Sequence, residues 1–550
     1  MRESIISISI FFLFSILLIA PALLRPNIVG SDPKESMPLR VSIKWKLRDA
    51  NLTWHPYPEE NLSHFCQQLR VLKLNGKTYL TAIFEFEDQL VVVDAETGEI
   101  LGNVSVPYYK YSNADIDGDG DFEMVLNNPP NTTCYEIMVG EKIQLEEKWA
   151  RRTGEIGQDY YIFEDLTGDG YLDIIIDDFA EILALDGKNG SELWRASNYT
   201  EPINISYVYS CLAGISIGDL NRDGYPDIFT GAAITDDQPA IIAINGKNGS
   251  LLWAVNTTSL FETYVFMAKT SCMGDVDNNG NLEAIWCVPD IVLLNHSGGI
   301  IGTYITPDSG LYEYFRRALA DINMDGRPEL IESLGSIYIF DPASLSLIGT
   351  IPYPPIGPGY VSCVGDMDGD GDQELIVHTY YFDRYGNVAR EGVSIVDVVI
   401  ENDSIVDYSV LWNYTIYDDP APPIGLFESF LVDVDGNGDL EIISSTMRWL
   451  ICFDVEPSSS ISEWYYRQGD FLYRCRWISG LSEPSTNVTV TVTDTTTIVV
   501  STTFTDTVIS TVYRTVTGWV CSNTVVYVVG VVVVGLILLY FLRRFFRGRG

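Results

Sequence analysis

A nonapeptide rich in Asp and Gly recurs seven times along the chain and constrains the fold more than any other feature. The first copy reads Asp-Ile-Asp-Gly-Asp-Gly-Asp-Phe-Glu. The seven copies begin at Asp115, Asp165, Asp219, Asp275, Asp321, Asp366 and Asp433. Self-similarity at a near-regular interval of this length indicates repeated supersecondary units that stack against each other.

The copies share oxygen-bearing side chains at fixed positions. Position 1 is always Asp, position 6 is always Gly and position 9 is always Asp or Glu; positions 3 and 5 are Asp or Asn, except for Thr167. Ca²⁺ takes about six to eight oxygen ligands, whereas Mg²⁺ demands stricter octahedral geometry and keeps its waters. Gly at position 6 permits the left-handed backbone that a tight wrap requires. The pattern therefore predicts calcium sites.

The predicted ligands are the side chains at positions 1, 3, 5 and 9, with a backbone carbonyl at position 7. In chain order they are Asp115, Asp117, Asp119, Glu123; Asp165, Thr167, Asp169, Asp173; Asp219, Asn221, Asp223, Asp227; Asp275, Asp277, Asn279, Glu283; Asp321, Asn323, Asp325, Glu329; Asp366, Asp368, Asp370, Glu374; and Asp433, Asp435, Asn437, Glu441. The second set is the weakest because of Thr167.

Two other interpretations of the repeat are weaker. Asp, Asn and Gly favour β-turns for conformational reasons alone, but a turn does not need a carboxylate at position 9 in every copy. An EF-hand needs a bidentate Glu at position 12, where only the fifth copy has one, Glu332. Short apolar runs such as Ile174–Ile176 follow the loops, so strands rather than helices are predicted there.

The acidic nonapeptide followed by a short apolar strand resembles the FG-GAP or VCBS-type repeat of integrin-alpha-like β-propellers. The resemblance covers about residues 70–470. It implies that each loop lies between the two inner strands of a blade and ligates Ca²⁺. Up to seven structural calcium ions are then expected.

Most loops are followed by a second recurring pattern. Residues 182–194 read Ile-Leu-Ala-Leu-Asp-Gly-Lys-Asn-Gly-Ser-Glu-Leu-Trp, and residues 241–253 are closely similar. This pattern reads as strand, Gly-containing turn and strand. It is similar to the outer hairpin of quinoprotein-like propeller blades.

An all-β propeller of four-stranded blades follows from these units, since each supplies an inner strand, the loop, a second strand and the outer hairpin. An eighth unit precedes the seven: Leu74–Leu80 occupies the loop position without carboxylates, and Leu90–Leu101 supplies an outer hairpin. Eight blades are therefore predicted, with seven as the alternative. Either Val41–Leu47 or Phe471–Ile478 is expected to close the ring.

The two ends of the chain are predicted to be targeting and membrane segments. Residues 1–24 form an apolar run typical of a signal peptide or, alternatively, a signal anchor. Residues 25–68 lead into a propeller at 69–480, and a Thr- and Val-rich stalk is expected at 485–518. Residues 519–542 read as a transmembrane helix, and 543–550 as a basic cytoplasmic tail.

This order predicts a single-pass protein of the plasma membrane whose N-terminal ectodomain is extracellular. Frequent Asn-x-Ser/Thr sequons agree with an external glycoprotein. A formal net charge of −41 argues against a nucleic-acid partner, because nothing here would neutralise a phosphate backbone. About a third of the 75 acidic residues lie in the seven loops. The stalk and C-terminal anchor resemble those of archaeal surface proteins.

The nine cysteines form no metal-type motif. Cys272 and Cys287 flank the fourth loop, and a cross-strand disulfide or two buried thiols are equally compatible with that spacing. Cys452 and Cys475 form a weaker candidate pair. The four histidines recur in no common context, and a surface location is expected for each.

The leading functional hypothesis is an adhesion or ligand-binding module held above the membrane, with an unknown extracellular ligand such as a glycan or protein. The alternatives are a propeller enzyme, either a quinone-dependent dehydrogenase or a polysaccharide-active protein, and a structural surface-coat component. Catalysis is the weaker hypothesis, because no vicinal cysteine pair is present and the obvious carboxylate pairs belong to the predicted metal loops. No catalytic residue is predicted.

Overall fold

In the computed structural model, the protein is all-β. The structure describes residues 39–48 and most of 69–464, with gaps at 85–88, 107–109, 155–160, 179–180, parts of 201–213, 236–237, 259, 261–270, 289, 305–315, 335, 353–358, 383–387, 403, 417–427, 446–448 and 457–461. The predicted signal segment, stalk, transmembrane helix and tail lie outside these residues. Within them, no helix is long and apolar enough to cross a membrane.

Eight antiparallel sheets, here called blades A to H, follow each other along the chain as an eight-bladed β-propeller. Blades A to D contain β2 (Leu69–Leu74), β3 (Lys77–Phe84), β4 (Gln89–Asp94) and β5 (Ile100–Ser105); β6 (Lys110–Ala114), β7 (Glu123–Asn128), β8 (Asn131–Val139) and β9 (Ile143–Arg152); β10 (Ile162–Glu164), β11 (Asp173–Asp178), β12 (Glu181–Leu185) and β13 (Glu192–Ala196); and β14 (Ser216–Gly218), β15 (Asp227–Thr235), β16 (Gln238–Ile244) and β17 (Leu251–Asn256).

Blades E to H complete the ring. They contain β18 (Ser271–Gly274), β19 (Glu283–Val288), β20 (Asp290–Leu294) and β21 (Ile300–Tyr304); β22 (Arg316–Ala320), β23 (Glu329–Leu334), β24 (Ser336–Asp341) and β25 (Ser346–Ile351); β26 (Gly359–Gly365), β27 (Glu374–Phe382), β28 (Val388–Ile400) and β29 (Ile405–Ile416), with β33 (Ser462–Trp464) added at the edge; and β30 (Glu428–Val432), β31 (Glu441–Ser445), β32 (Trp449–Glu456) and β1 (Arg40–Arg48).

The ring is closed by the N-terminal strand. β1 pairs antiparallel with β32, from Arg40 opposite Glu456 to Arg48 opposite Trp449, and so becomes the outermost strand of blade H. The prediction of eight blades is confirmed, and of the two candidate closing strands, Val41–Leu47 is the one that closes the ring. The other candidate, Phe471–Ile478, lies outside the described residues.

The core lies between neighbouring blades, since each sheet packs against a sheet on either side. Second and third strands are therefore buried on both faces and read as continuous apolar runs, such as Ile174–Ile176, whose members are at most 1% exposed. The first strands of successive blades contact each other around the axis. Their links are polar, as between Ser216 Oγ and Ser271 Oγ at 2.7 Å.

Four outer strands present a Trp to the next blade. The indole nitrogens donate hydrogen bonds from Trp45 to Ala95 O (2.8 Å), Trp149 to Gly187 O (2.8 Å), Trp194 to Gly246 O (2.6 Å) and Trp253 to His296 O (3.0 Å). Each ring packs on a Gly with positive φ in the outer hairpin of that blade, namely Gly98, Gly190, Gly249 and Gly298. A Cβ at any of these glycines would lie closer than 3.0 Å to the indole, so only Gly fits.

The outer strand of every blade contains a residue that the strand pairing skips at the same place, as in a β-bulge, and the outer strand of blade G skips a second residue, Val406. In blade B, for example, Cys134 pairs with Trp149 and Tyr135 pairs with Glu147, which leaves Lys148 between them. From blade A to blade H the skipped residues are Leu101, Lys148, Leu193, Leu252, Ile301, Ile348, Leu411 and Lys44. We call this place the bulge position.

Two expectations about side chains are wrong. The predicted Cys272–Cys287 disulfide assumes that the two residues face each other, but Cys272 lies opposite Ile285, and Cys287 comes two residues further along β19. His378 was expected at the surface and is instead fully buried on β27, where it stacks on Tyr360. Cys452 is buried, and its candidate partner Cys475 lies outside the described residues.

Candidate metal centres

All seven nonapeptides occupy the same place in their blades. Each connects the first strand to the second, so position 9 is the first residue of the second strand in blades B to H. In blade A the equivalent connection is a two-residue turn at Asn75 and Gly76, both with positive φ, as in a type I′ hairpin. The loops therefore lie on one face of the propeller, each between the two inner strands of its blade.

Loop conformation follows from the Gly and Asp positions. Every Gly at position 6 has a φ between 82° and 107°, a region that other residues rarely adopt. In six of the loops its amide donates a hydrogen bond to the position 1 carboxylate, for example from Gly120 N to Asp115 Oδ2 at 3.0 Å and from Gly326 N to Asp321 Oδ2 at 2.7 Å.

Position 5 also holds the backbone in every loop, because its side-chain oxygen accepts a hydrogen bond from the position 7 amide at 2.6–3.0 Å. The predicted ligands at position 5 therefore form hydrogen bonds that hold the turn of each loop. They are Asp119, Asp169, Asp223, Asn279, Asp325, Asp370 and Asn437.

The carboxylate at position 9 is buried in every loop, with at most 5% of the residue exposed. In most loops it accepts a hydrogen bond from the position 2 amide, as from Ile116 N to Glu123 at 2.9 Å and from Met367 N to Glu374 at 2.6 Å. Burial raises the pKa of Glu123 to about 7 and that of Glu329 to about 8. These carboxylates lie where their charge is poorly solvated.

The structure brings three carboxylates together in four of the loops. One oxygen from each of positions 1, 3 and 9 lies within 4.8 Å of the others in the groups Asp115, Asp117, Glu123; Asp275, Asp277, Glu283; Asp366, Asp368, Glu374; and Asp433, Asp435, Glu441. The other three loops have Thr167, Asn221 and Asn323 at position 3, so their oxygen set contains one carboxylate fewer.

The donor set fits a hard cation. Carboxylate oxygens converge in the four groups above, and Ca²⁺ prefers oxygen ligands. Asp117 Oδ1 is buried and accepts no hydrogen bond within the described part of the chain. A buried carboxylate in that state needs a cation nearby.

In blade B, a lysine already contacts these carboxylates. Lys148, at the bulge position of β9, places its Nζ 3.1 Å from Asp117 Oδ2, 3.1 Å from Glu123 Oε1 and 3.0 Å from Glu136 Oε2. The ammonium therefore touches positions 3 and 9 of the loop. Although partial burial opposes the shift, the hydrogen bonds to Glu136, Glu123 and Asp117 raise the pKa of Lys148 above its usual range.

Blade H repeats this arrangement with a lysine from the other end of the chain. Lys44 on β1 lies 2.6 Å from Asp435 Oδ2 and 3.1 Å from Glu441 Oε1, again positions 3 and 9. Sequence reasoning missed both lysines. A signal was present, because the dipeptide is Lys-Trp at 44–45 and 148–149 but Leu-Trp at 193–194, 252–253 and 411–412.

Blade G has the opposite electrostatics. Its bulge position holds Leu411. Burial and the nearby charges of Asp370 and of Asp397 on β28 raise the pKa of Asp372 to about 6. Burial, opposed by a backbone hydrogen bond and reinforced by Asp368 and other loop carboxylates, raises the pKa of Glu374 to about 9. The net charge around this loop is therefore more negative than in blade B, where Lys148 contributes a positive charge.

Neighbouring loops are joined by backbone hydrogen bonds. The amide at position 8 donates to a carbonyl in the preceding blade, from Phe122 to Lys73 (2.8 Å), Leu172 to Ile116 (2.9 Å) and Gln373 to Ile322 (2.8 Å). In the last two pairs the acceptor is position 2 of the previous loop.

Comparisons with known proteins identify no family. No protein-family model matches the sequence, and no curated protein matches it. Among solved structures, the chain is similar to the Vibrio cholerae biofilm matrix protein Bap1, with 12% identity over 78% of this chain and 92% of that one and a TM-score of 0.38. It is also similar to the rhamnogalacturonan lyase YesW, with 13% identity over 71% and 90% and a TM-score of 0.37.

Saccharomyces cerevisiae Sqt1 gives a similar value, with 10% identity over 62% of this chain and 81% of that one and a TM-score of 0.37. At such low identity and TM-score, these similarities carry no information about what this protein does.

Proposed function

We propose that this protein is a calcium-stabilised β-propeller that is displayed outside the cell and binds an extracellular ligand as an adhesion module. The observation that carries the calcium part is the burial of the position 9 carboxylate in all seven loops. Burying an ionised carboxylate without a partner costs several kcal/mol, so seven such groups need compensation. A calcium ion bound at a loop supplies that charge and stabilises the connection between the first two strands.

The binding surface is proposed on the face opposite the loops. Because the strands of each blade alternate in direction, the connections from each outer strand to the next blade open on that opposite face. Several are long, such as those between Ala196 and Ser216 and between Ile416 and Glu428. Connections that vary in length on a rigid scaffold are the usual carriers of binding specificity.

Surface display is proposed from the sequence of the two ends, which lie outside the described residues. An apolar segment at 519–542 followed by a basic tail would hold the propeller on a stalk at 485–518. The acidic surface that remains after the loops bind calcium suits an exposed external protein rather than one that binds nucleic acid.

A glycan-binding screen of the full-length chain, run with calcium and with chelator, tests this function. We expect binding of a restricted glycan class that is reduced when calcium is removed. Turnover of a polysaccharide or of an alcohol with quinone would favour an enzyme instead. Formation of ordered arrays on membranes, without glycan binding, would favour a surface-coat protein.

A further inference from the structure

We propose that Lys148 and Lys44 are built-in cations that take the place of calcium in the loops of blades B and H, so that the chain binds five calcium ions rather than seven. This inference rests on the proposed function, because it assumes that the other five loops bind calcium. It divides seven loops of similar sequence into two classes by a residue that lies outside the motif.

The two lysines occupy equivalent places in the fold. Both are at the bulge position, directly before the Trp that packs on the next blade. The other five loop-bearing blades have an aliphatic residue there: Leu193, Leu252, Ile301, Ile348 and Leu411. An ammonium is thus present at this position only in blades B and H.

The contacts are the same in both blades. Each Nζ lies within 3.1 Å of a position 3 carboxylate oxygen and a position 9 carboxylate oxygen, and a third acidic group on the neighbouring strand faces it, Glu136 at 3.0 Å and Asp454 at 4.0 Å. These position 3 and position 9 residues are two of the three whose carboxylates come together in each of these loops.

An ammonium and a calcium ion cannot share these oxygens at low cost. The ion would have to lie within about 2.6 Å of the same carboxylates, and like charges a few ångströms apart repel strongly in a partly buried site. Calcium would therefore have to displace the lysine. Each lysine instead pairs directly with the position 3 and position 9 carboxylates of its loop.

In blade H, the replacement of calcium by Lys44 also affects how the ring is closed. Lys44 lies on the N-terminal strand β1, whereas Asp435 and Glu441 belong to the last blade of the ring. The ion pairs therefore join the two ends of the propeller at the place where no covalent hairpin does so. Closure of the ring is then independent of calcium, while blades C to G depend on it.

Counting bound calcium in the purified full-length chain tests this proposal. Equilibrium dialysis with radioactive calcium would be run on the wild type, Lys44→Leu, Lys148→Leu and the double variant, since Leu is the residue found in blades C, D and G. We expect five ions for the wild type, six for each single variant and seven for the double variant. Lys148→Arg, which keeps the cation, should stay at five.

Lys77→Leu is the matched control. Lys77 forms an ion pair with Asp94 in blade A, which has no acidic loop, so its loss should leave the count at five. The thermal melt in excess chelator gives a second readout: Lys148→Leu should melt lower than the wild type, because Glu123 and Asp117 lose their cation.

The wild-type count decides the matter even where a variant does not fold. Seven ions in the wild type would overturn the lysine proposal and leave the calcium proposal intact. Five ions in the wild type and still five in both folded single variants would also overturn the role of the lysines. No bound calcium in any chain would overturn the proposed function itself.

Discussion

The loops of blades B and G have the same acidic sequence pattern, Asp-x-Asp-Gly-Asp-Gly-Asp-x-Glu, but different surroundings. In blade B, Lys148 contacts the position 3 and position 9 carboxylates. In blade G, the equivalent residue is Leu411, and Asp397 lies at the third-strand position that Glu136 occupies in blade B. Burial raises the pKa of the position 9 Glu to about 7 in blade B and to about 9 in blade G. The loop sequence therefore provides the carboxylates, and we propose that the residue at the bulge position of the outer strand determines which cation neutralises them.

The largest expected difference is between the position 9 variants of these two blades. Glu374→Gln should remove one calcium ion and lower the free energy of unfolding by roughly 4 kcal/mol when calcium is at a thousand times its Kd. Glu123→Gln should leave the calcium count unchanged and cost roughly 1 kcal/mol, because Lys148 keeps two other carboxylates. Denaturant unfolding with and without calcium measures both. Equal calcium-dependent losses would remove the distinction between the blades.

A lysine at the bulge position of blade G should make its loop independent of calcium, as we propose for the loop of blade B. Leu411→Lys is expected to remove one bound calcium ion and to make the unfolding temperature less sensitive to chelator. Leu101→Lys is the control, because blade A offers the same bulge position without an acidic loop. A calcium count unchanged by Leu411→Lys, in a chain that still folds, would show that the bulge position does not govern the site.

The effect of calcium should also depend on pH. Without calcium, the folded-state pKa of Glu374 is about 9, above the ordinary value of 4.5, so the folded chain favours the protonated form. Stability contributed by that proton is present at low pH and is lost as the pH rises from about 4.5 to about 9. Calcium displaces the proton, so the increase in unfolding temperature on adding calcium should be larger at pH 8 than at pH 5. An increase that is equal or larger at pH 5 would contradict this reasoning.

The smallest expected effect concerns Asp397, the carboxylate on the third strand of blade G. Asp397→Asn should weaken calcium binding at this loop only by a few-fold, because Asp397 acts at longer range than the loop residues themselves. Titration of calcium at low and high salt would show a difference that shrinks as salt rises. An effect as large as that of Glu374→Gln would mean that Asp397 is a direct ligand.

The sequence predicted the loops and the blades because both follow from short local sequence patterns. Seven acidic nonapeptides and the Asn75-Gly76 turn in the eighth unit were enough for the blade number, whereas the sequence left two candidates for the closing strand. Each of these features is a short motif whose backbone conformation its own residues determine.

Other features depend on register and could not be read from spacing alone. Counting from the loop suggested that Cys272 faces Cys287, but position 9 is already paired with Gly274, which moves Cys272 opposite Ile285. The two lysines contact their loops from positions that the strand pairing skips. Spacing in the sequence does not show which residue of an outer strand is skipped. His378 is buried by the packing of blade G, which a lone histidine does not reveal.

The thermal melt of the full-length chain in calcium and in excess chelator is the most direct test of calcium as the ion that stabilises this propeller. We expect the unfolding temperature to fall sharply when calcium is removed and to recover when calcium, but not an equal concentration of magnesium, is added back. An unfolding temperature that is the same with calcium and with chelator would contradict this account.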